Sequence, residues 1–123
     1  MTHSPNHSRR NKYHAKRLTV DGERFDSYAE YQRWEDLKLL EKAGEIRGLE
    51  RQVRIPLKCG ADPIKIRSAR YPNGRAVVYI ADFAYFEGNA RVFEDKKGMD
   101  TRVSRLKRAI VEAMYPDVQV RIT

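Results

Sequence analysis

Between Ser27 and Ala43 the apolar residues recur at helical spacing, and Tyr31, Trp34, Leu37 and Leu40 fall on one face. Ser27 begins SYAE, an S-x-x-E pattern in which the serine caps the first turn and Glu30 can reach back to the Ser27 amide. Gly44 supplies the stop. The pattern predicts a helix over 27–43. Glu30 lies four residues before Trp34 and seven before Leu37, so the helix carries a carboxylate on its apolar side. Glu41 shares that azimuth at the fraying end. Just upstream, residues 19–25 (TVDGERF) read as two short extended pieces around Asp21-Gly22, a two-residue hairpin signal.

Beyond a turn at Gly48, residues 49–57 (LERQVRIPL) read as a strand that Pro56 ends. IKIRSARY fits a strand, whereas CGADP and YPNG are turns. Residues 76–86 and 90–97 form two strands joined at Gly88-Asn89. A second helix follows residues 98–101, with Val103, Leu106, Ile110 and Met114 on one stripe, and ends at Pro116. VQVRI alternates as a last strand. The result is an α/β or α+β fold, a mixed sheet flanked by helices in the order α-β-β-β-α-β.

The hairpin brings acids together. With Gly88 and Asn89 as its two central residues, Glu87 faces Ala90 and Asp82 faces Asp95. Side chains so opposed have Cβ atoms about 4.5–5.5 Å apart. Lys97, two residues past Asp95, projects to the same face. Two such carboxylates repel, and one keeps its proton unless a cation intervenes. Oxygen ligation suits Mg²⁺ or Mn²⁺, which would polarise a phosphoryl oxygen, with Lys97 supporting charge on the phosphate. From Asp82 and Asp95 alone, a charged strand end beside Arg91 or Arg105 competes with this reading. Lys97, the basic balance and Glu30 favour the metal.

Composition sharpens the partner. The chain has 123 residues, 41% of them apolar, twelve aromatics (one Trp, seven Tyr, four Phe) and a net charge of +8. That is one domain's length with a modest core, and a basic balance that points to DNA. Residues 1–17 hold Arg9, Arg10, Lys12, Lys16 and Arg17 and no acid. Their composition predicts a flexible basic arm ahead of a single domain over 18–123. With Arg105, Lys107 and Arg108 of the second helix they form the expected phosphate contacts. His3, His7 and His14 have no metal-ligand spacing. A single cysteine, Cys59, and the lack of a membrane-length apolar run make a cytoplasmic setting the expectation, with no membrane partner.

An acid on one strand, acid-x-Lys on the next and a preceding helix with Glu resemble the PD-(D/E)XK nuclease superfamily. Ala81 stands before Asp82 where the name has proline. KYHAKRLTVDGERFDSYAEYQRWEDLKLLEKAGEIRGLERQ, YIADFAYF, EDKKG and YPDV together are similar to a small phage- and prophage-borne family of unknown function within it. The resemblance runs from Lys12 to the C-terminus. It implies a restriction-endonuclease-like core and a Mg²⁺-dependent endodeoxyribonuclease, structure-specific in phage DNA recombination or processing. Glu30, Asp82, Asp95 and Lys97 would be catalytic, the three acids holding the metal. Gln52 falls where related nucleases keep a glutamine, and Lys107 where a basic residue nears the phosphate. EDKK also offers Glu94 and Lys96 as the pair, but strand parity and Gly98 favour Asp95 and Lys97. Such enzymes often cut both strands as dimers, so the resemblance admits a homodimer. The rival is a non-catalytic, basic nucleic-acid-binding protein on the same fold.

Overall fold

A computed structural model of the chain describes residues 16–123. Arg9, Arg10 and Lys12 of the predicted arm lie outside the described residues. Strands β1 (Leu18–Val20) and β2 (Glu23–Phe25) pair around Asp21 and Gly22, whose φ of 52° and 82° are those of a tight two-residue turn. Helix α1 (Tyr28–Lys42) starts at Ser27, whose hydroxyl accepts the Glu30 amide at 3.1 Å. Only Glu30 and Leu37 are buried on it.

The main sheet has the order β10-β9-β8-β3, built from β3 (Arg47–Pro56), β8 (Val78–Glu87), β9 (Ala90–Asp95) and β10 (Val118–Ile122). Between β3 and β8 lie two small ribbons, β4 (Lys58–Cys59) with β5 (Asp62–Pro63), and β6 (Lys65–Ile66) with β7 (Arg75–Ala76). Helix α2 (Arg102–Met114) crosses from β9 to β10, which runs parallel to β9, while β3 and β9 are antiparallel to β8. The larger elements therefore follow α-β-β-β-α-β, a mixed α+β sheet flanked by two helices, as the sequence pattern predicts. Among the described residues, no helix is long and apolar enough to cross a membrane.

One core cluster joins Val111 of α2 to Ile55, Leu57, Tyr79, Ala81, Ala84 and Phe93. The other joins Leu37 of α1 to Ile46, Phe83, Tyr85 and Val92, with Trp34 stacked on Phe83 at 6.1 Å between ring centroids. Residues two apart on a regular strand share a face, yet Ala81 belongs to the first cluster and Phe83 to the second. On β3, Arg51 lies over Phe25 and Trp34 on the α1 side, whereas Val53 packs with the α2 cluster. Both strands thus change face together, at Gln52 and Asp82.

Several expectations need correction. Gly48 is inside β3, at a bulge where the register with β8 shifts, with the Phe86 ring 3.3 Å from where a Cβ would stand. Only Lys65 and Ile66 of IKIRSARY are strand, because Ser68 and Tyr71 bond each other's backbone and turn the chain. Leu40 is exposed, and Val103 and Leu106 are each 62% exposed. Of the predicted α2 stripe only Ile110 and Met114 pack on the sheet, alongside the buried Val111.

Candidate active site

The site lies where the two strands change face. Gln52 has a φ of 51°, left-handed for a residue with a side chain, and the β3–β8 ladder omits the Gln52–Asp82 pair. The β8–β9 hairpin has the predicted register, with Glu87 opposite Ala90 and Phe83 opposite Glu94. One step further, side chains replace the ladder. The Asp82 amide donates to Asp95 Oδ1 at 3.1 Å, and the Lys96 amide donates to Asp82 Oδ2 at 2.9 Å. Thr123, just past β10, holds the next stretch: it donates its amide to the Asp95 carbonyl at 2.9 Å, and Lys97 donates its amide to the Thr123 carbonyl at 3.2 Å.

Gln52 links the two acids. Its Nε2 donates to Glu30 Oε2 at 3.2 Å and to Asp82 Oδ1 at 3.3 Å. Glu30, 3% exposed, also accepts the Asp26 amide through Oε1 at 3.2 Å. Its reach back past the helix start lands one residue beyond the Ser27 amide expected of a capping box. Arg51 Nη2 stands 3.4 Å from Glu30 Oε2 and donates to the Arg24 carbonyl at 2.7 Å, with its guanidinium 4.0 Å above the Phe25 ring. Burial raises the Glu30 carboxyl above its ordinary range, against the opposing pull of the Asp26 amide and Arg51. Burial, with the Glu30 carboxylate next, pushes Asp82 up to about 7, although the Lys96 amide and Lys97 favour its ionised form.

Glu30, Asp82, Lys96 and Lys97 line a cleft of about 310 Å³, with Asp26, Ser27, Gly98, Met99 and Thr101 completing its walls. On the other side of Glu30, a hollow of about 350 Å³ is lined by Arg17, Arg24, Asp26, Glu30 and Gln52. The expected group of Glu30, Asp82, Gln52 and Lys97 therefore comes together. Arg51 and Asp26 were missed, since neither occupies a motif position. The signal available for Arg51 was its place beside Gln52 on a strand opposite an acid.

Asp95 departs from expectation. It is fully buried and not among the cleft walls, because Tyr79 donates its hydroxyl to Oδ2 while Oδ1 serves the Asp82 amide. Lys97 Nζ is 3.7 Å from its Oδ2. Burial and the bond to Asp95 raise the Tyr79 hydroxyl well above its ordinary value. Glu94 is fixed elsewhere. Arg33 grips it through two bonds of 2.6 and 3.0 Å, and Tyr85 donates its hydroxyl at 2.6 Å. Burial favours its neutral form, but Arg33 and Tyr85 outweigh burial and hold the carboxyl below its ordinary range. Glu94 and Lys96 thus do not make a competing pair, and Glu94 gives the cleft no direct support.

The expected phosphate contacts divide. Lys16 and Arg17 are exposed, and Arg17 is 3.9 Å from Asp26. Arg108 is not available, since Asp100 takes both its Nη atoms at 2.8 Å. Arg105 donates to the Asp100 carbonyl at 2.8 Å. Lys107 lines a separate groove with Arg54 and Arg75.

Among the described residues, no three His, Cys, Asp or Glu side chains converge as a metal cage. Glu30 and Asp82 still fit Mg²⁺, which takes one or two carboxylates and keeps several waters. Burial raises the proton affinity of both, and for Asp82 the Glu30 carboxylate adds to it.

Residues 10–123 match the family model described as "Protein of unknown function (DUF1064)", and the chain belongs to that family. No curated protein and no solved structure matches it.

Proposed function

We propose that this member of the DUF1064 family is a single-domain, metal-dependent DNA endonuclease of the PD-(D/E)XK kind, hydrolysing phosphodiester bonds at the cleft of Glu30, Asp82 and Lys97. One observation carries the reading: Glu30 and Asp82 share the single Gln52 Nε2 in a cleft that also holds Lys97. A cation held between them would offset the cost of ionising both buried carboxyls.

Glu30 and Asp82 would hold Mg²⁺ or Mn²⁺. Bound there, the ion would polarise a phosphoryl oxygen and lower the pKa of water. The chain's own contributions are positional and electrostatic. Gln52 fixes both acids at one spacing, and Arg51 keeps Glu30 oriented and partly neutralised. Asp95 acts from beneath as a positioning residue, holding the Asp82 amide and facing Lys97. The Lys97 ammonium stabilises charge that develops on the phosphate. Arg17, beside the hollow behind Glu30, contacts the DNA backbone. The setting we assign is cytoplasmic, in structure-specific phage DNA recombination or processing, with a homodimer acting on two strands.

A second reading, a nucleic-acid-binding protein without turnover, draws on the withdrawal of Asp95 from the cleft wall. Labelled duplex, nicked, flap and four-way-junction DNAs, incubated with Mg²⁺, Mn²⁺ or EDTA, separate the two. The nuclease reading expects metal-dependent cutting that Asp82→Asn and Lys97→Ala abolish while DNA binding persists. Binding without cutting on every substrate supports the second reading.

A further inference from the structure

The longest stretch without an acid in the described chain lies between Asp62 and Asp82, and it carries Lys65, Arg67, Arg70 and Arg75. Helix α2 adds Arg102, Arg105, Lys107 and Arg108 before its first acid, Glu112. The fold brings part of each run to one groove of about 470 Å³, lined by Arg54, Arg75, Lys107, Tyr71, Val103 and Ile66, among others, and by no acid. None of Arg54, Arg67, Arg70, Arg75 and Lys107 makes an ion pair among the described residues. Residues 1–15 contain no Asp or Glu that could supply one. Outside this region Arg33, Arg51, Arg91, Arg108 and Arg121 have carboxylate partners, whereas Arg24, Arg47 and Arg102 have none among the described residues.

The groove is not merely basic. Tyr71 is held by the backbone exchange with Ser68 and by the Gly74 amide donating to its carbonyl at 2.9 Å. The guanidinium groups of Arg70 and Arg75 stand 5.6 and 5.3 Å from the Tyr71 ring centroid. Ile66 and Val103 are 63% and 62% exposed beside it. Cations around an aromatic ring and an open apolar surface suit a ligand with phosphates on one edge and unpaired bases on the other. A duplex keeps its base faces stacked inside and gives the ring nothing to meet.

We propose that this groove binds single-stranded DNA, with Arg54, Arg75 and Lys107 on the phosphates and Tyr71 under a base. β8 carries Val78 in the groove and Asp82 in the acid cleft, four residues or about 13 Å apart along a strand. The groove and the acid cleft thus share strand β8. This deepens the nuclease reading, making the substrate a DNA with an unpaired segment, but the binding itself does not depend on catalysis.

The test is fluorescence anisotropy with labelled oligothymidylate and a duplex of equal length, in EDTA, across a salt series. Tyr71→Leu should weaken oligothymidylate binding at least about fivefold and leave the duplex nearly unchanged. Replacing Arg54, Arg75 and Lys107 together by Ala should flatten the log–log salt slope for oligothymidylate by about 2, at roughly 0.7 per single-strand phosphate contact. Unchanged oligothymidylate binding in both variants overturns the proposal, and so does equal loss on single strand and duplex in Tyr71→Leu. Displacement of the oligonucleotide by polyglutamate at equal charge concentration also overturns it, because the groove would then be a general anion surface. Asp82→Asn should bind oligothymidylate like the wild type. Loss of cutting in that variant together with intact binding by the groove variants would sink this inference and leave the nuclease reading standing. The reverse pattern would do the opposite.

Discussion

Asp82→Asn should reverse the order of stability between acid and alkaline pH. The gap between about 7 in the folded protein and the ordinary 3.8, at about 1.4 kcal/mol per pH unit, sets a ceiling of about 4 kcal/mol on the cost of ionising Asp82. The folded protein binds this proton more tightly than the unfolded chain does. Wild-type stability therefore falls as pH rises from 3.8 to about 7, and the loss is complete above that. Asparagine escapes this cost. It keeps an acceptor for the Lys96 amide but turns its NH₂ toward Gln52 Nε2, a mismatch of about 1 kcal/mol at every pH. Near pH 4 the variant should be about 1 kcal/mol less stable than wild type, and above pH 8 about 3 kcal/mol more stable. Urea unfolding in EDTA, followed through the fluorescence of the single Trp34, reads both. Two stability curves that run parallel across pH would refute the reasoning, because Asp82 would then carry no ionisation cost. At pH 8, Mg²⁺ should raise the wild-type midpoint and leave the variant's in place.

Arg33→Ala strands the buried Glu94 and should cost about 3 kcal/mol at pH 7 in urea unfolding. Glu94 is held below its ordinary 4.5, so the stability it brings is present above that pH, and the gap between variant and wild type should narrow as pH falls through it. Tyr79→Phe removes a buried donor from Asp95 and should cost about 1–2 kcal/mol, measured the same way. At Gln52, valine is β-branched in a left-handed backbone and should lose about 2 kcal/mol, whereas glycine should stay within about 1 kcal/mol of wild type yet lose cleavage. Asp95→Asn should keep more cleavage than Asp82→Asn in the same assay, since only Asp82 lines the cleft.

The sequence announced the hairpin at Gly88-Asn89 because two-residue turns dictate register, and that register placed Asp82 next to Asp95. It announced α1 with Glu30 inward because the cap and the apolar spacing agree. What it hid follows from tertiary packing. Alternation assigns faces only while a strand stays regular, and nothing local marks Gln52 as left-handed. Asp95 looked like a cleft residue because its partners, Tyr79 and the Asp82 amide, are contacts between strands. Arg108 read as a phosphate contact and Arg33 carried no signal, yet Asp100, beyond a turn, and Glu94, far along the chain, claim them. The apolar stripe of α2 misled for a different reason. Val103 and Leu106 belong to a face that the sheet does not cover.

The shared change of face at Gln52 and Asp82 makes the cleft a mechanical joint. Glu30 belongs to the half of the molecule organised around Leu37 and Phe83, while Tyr79, which bonds Asp95, belongs to the half organised around Val111. Packing changes deep in either half would rotate one set of acids against the other through that joint. Volume-altering substitutions far from the cleft, at Val111 or Leu37, would thus act as adjusters of carboxylate spacing. Selection could retune the site through them without replacing any residue in it.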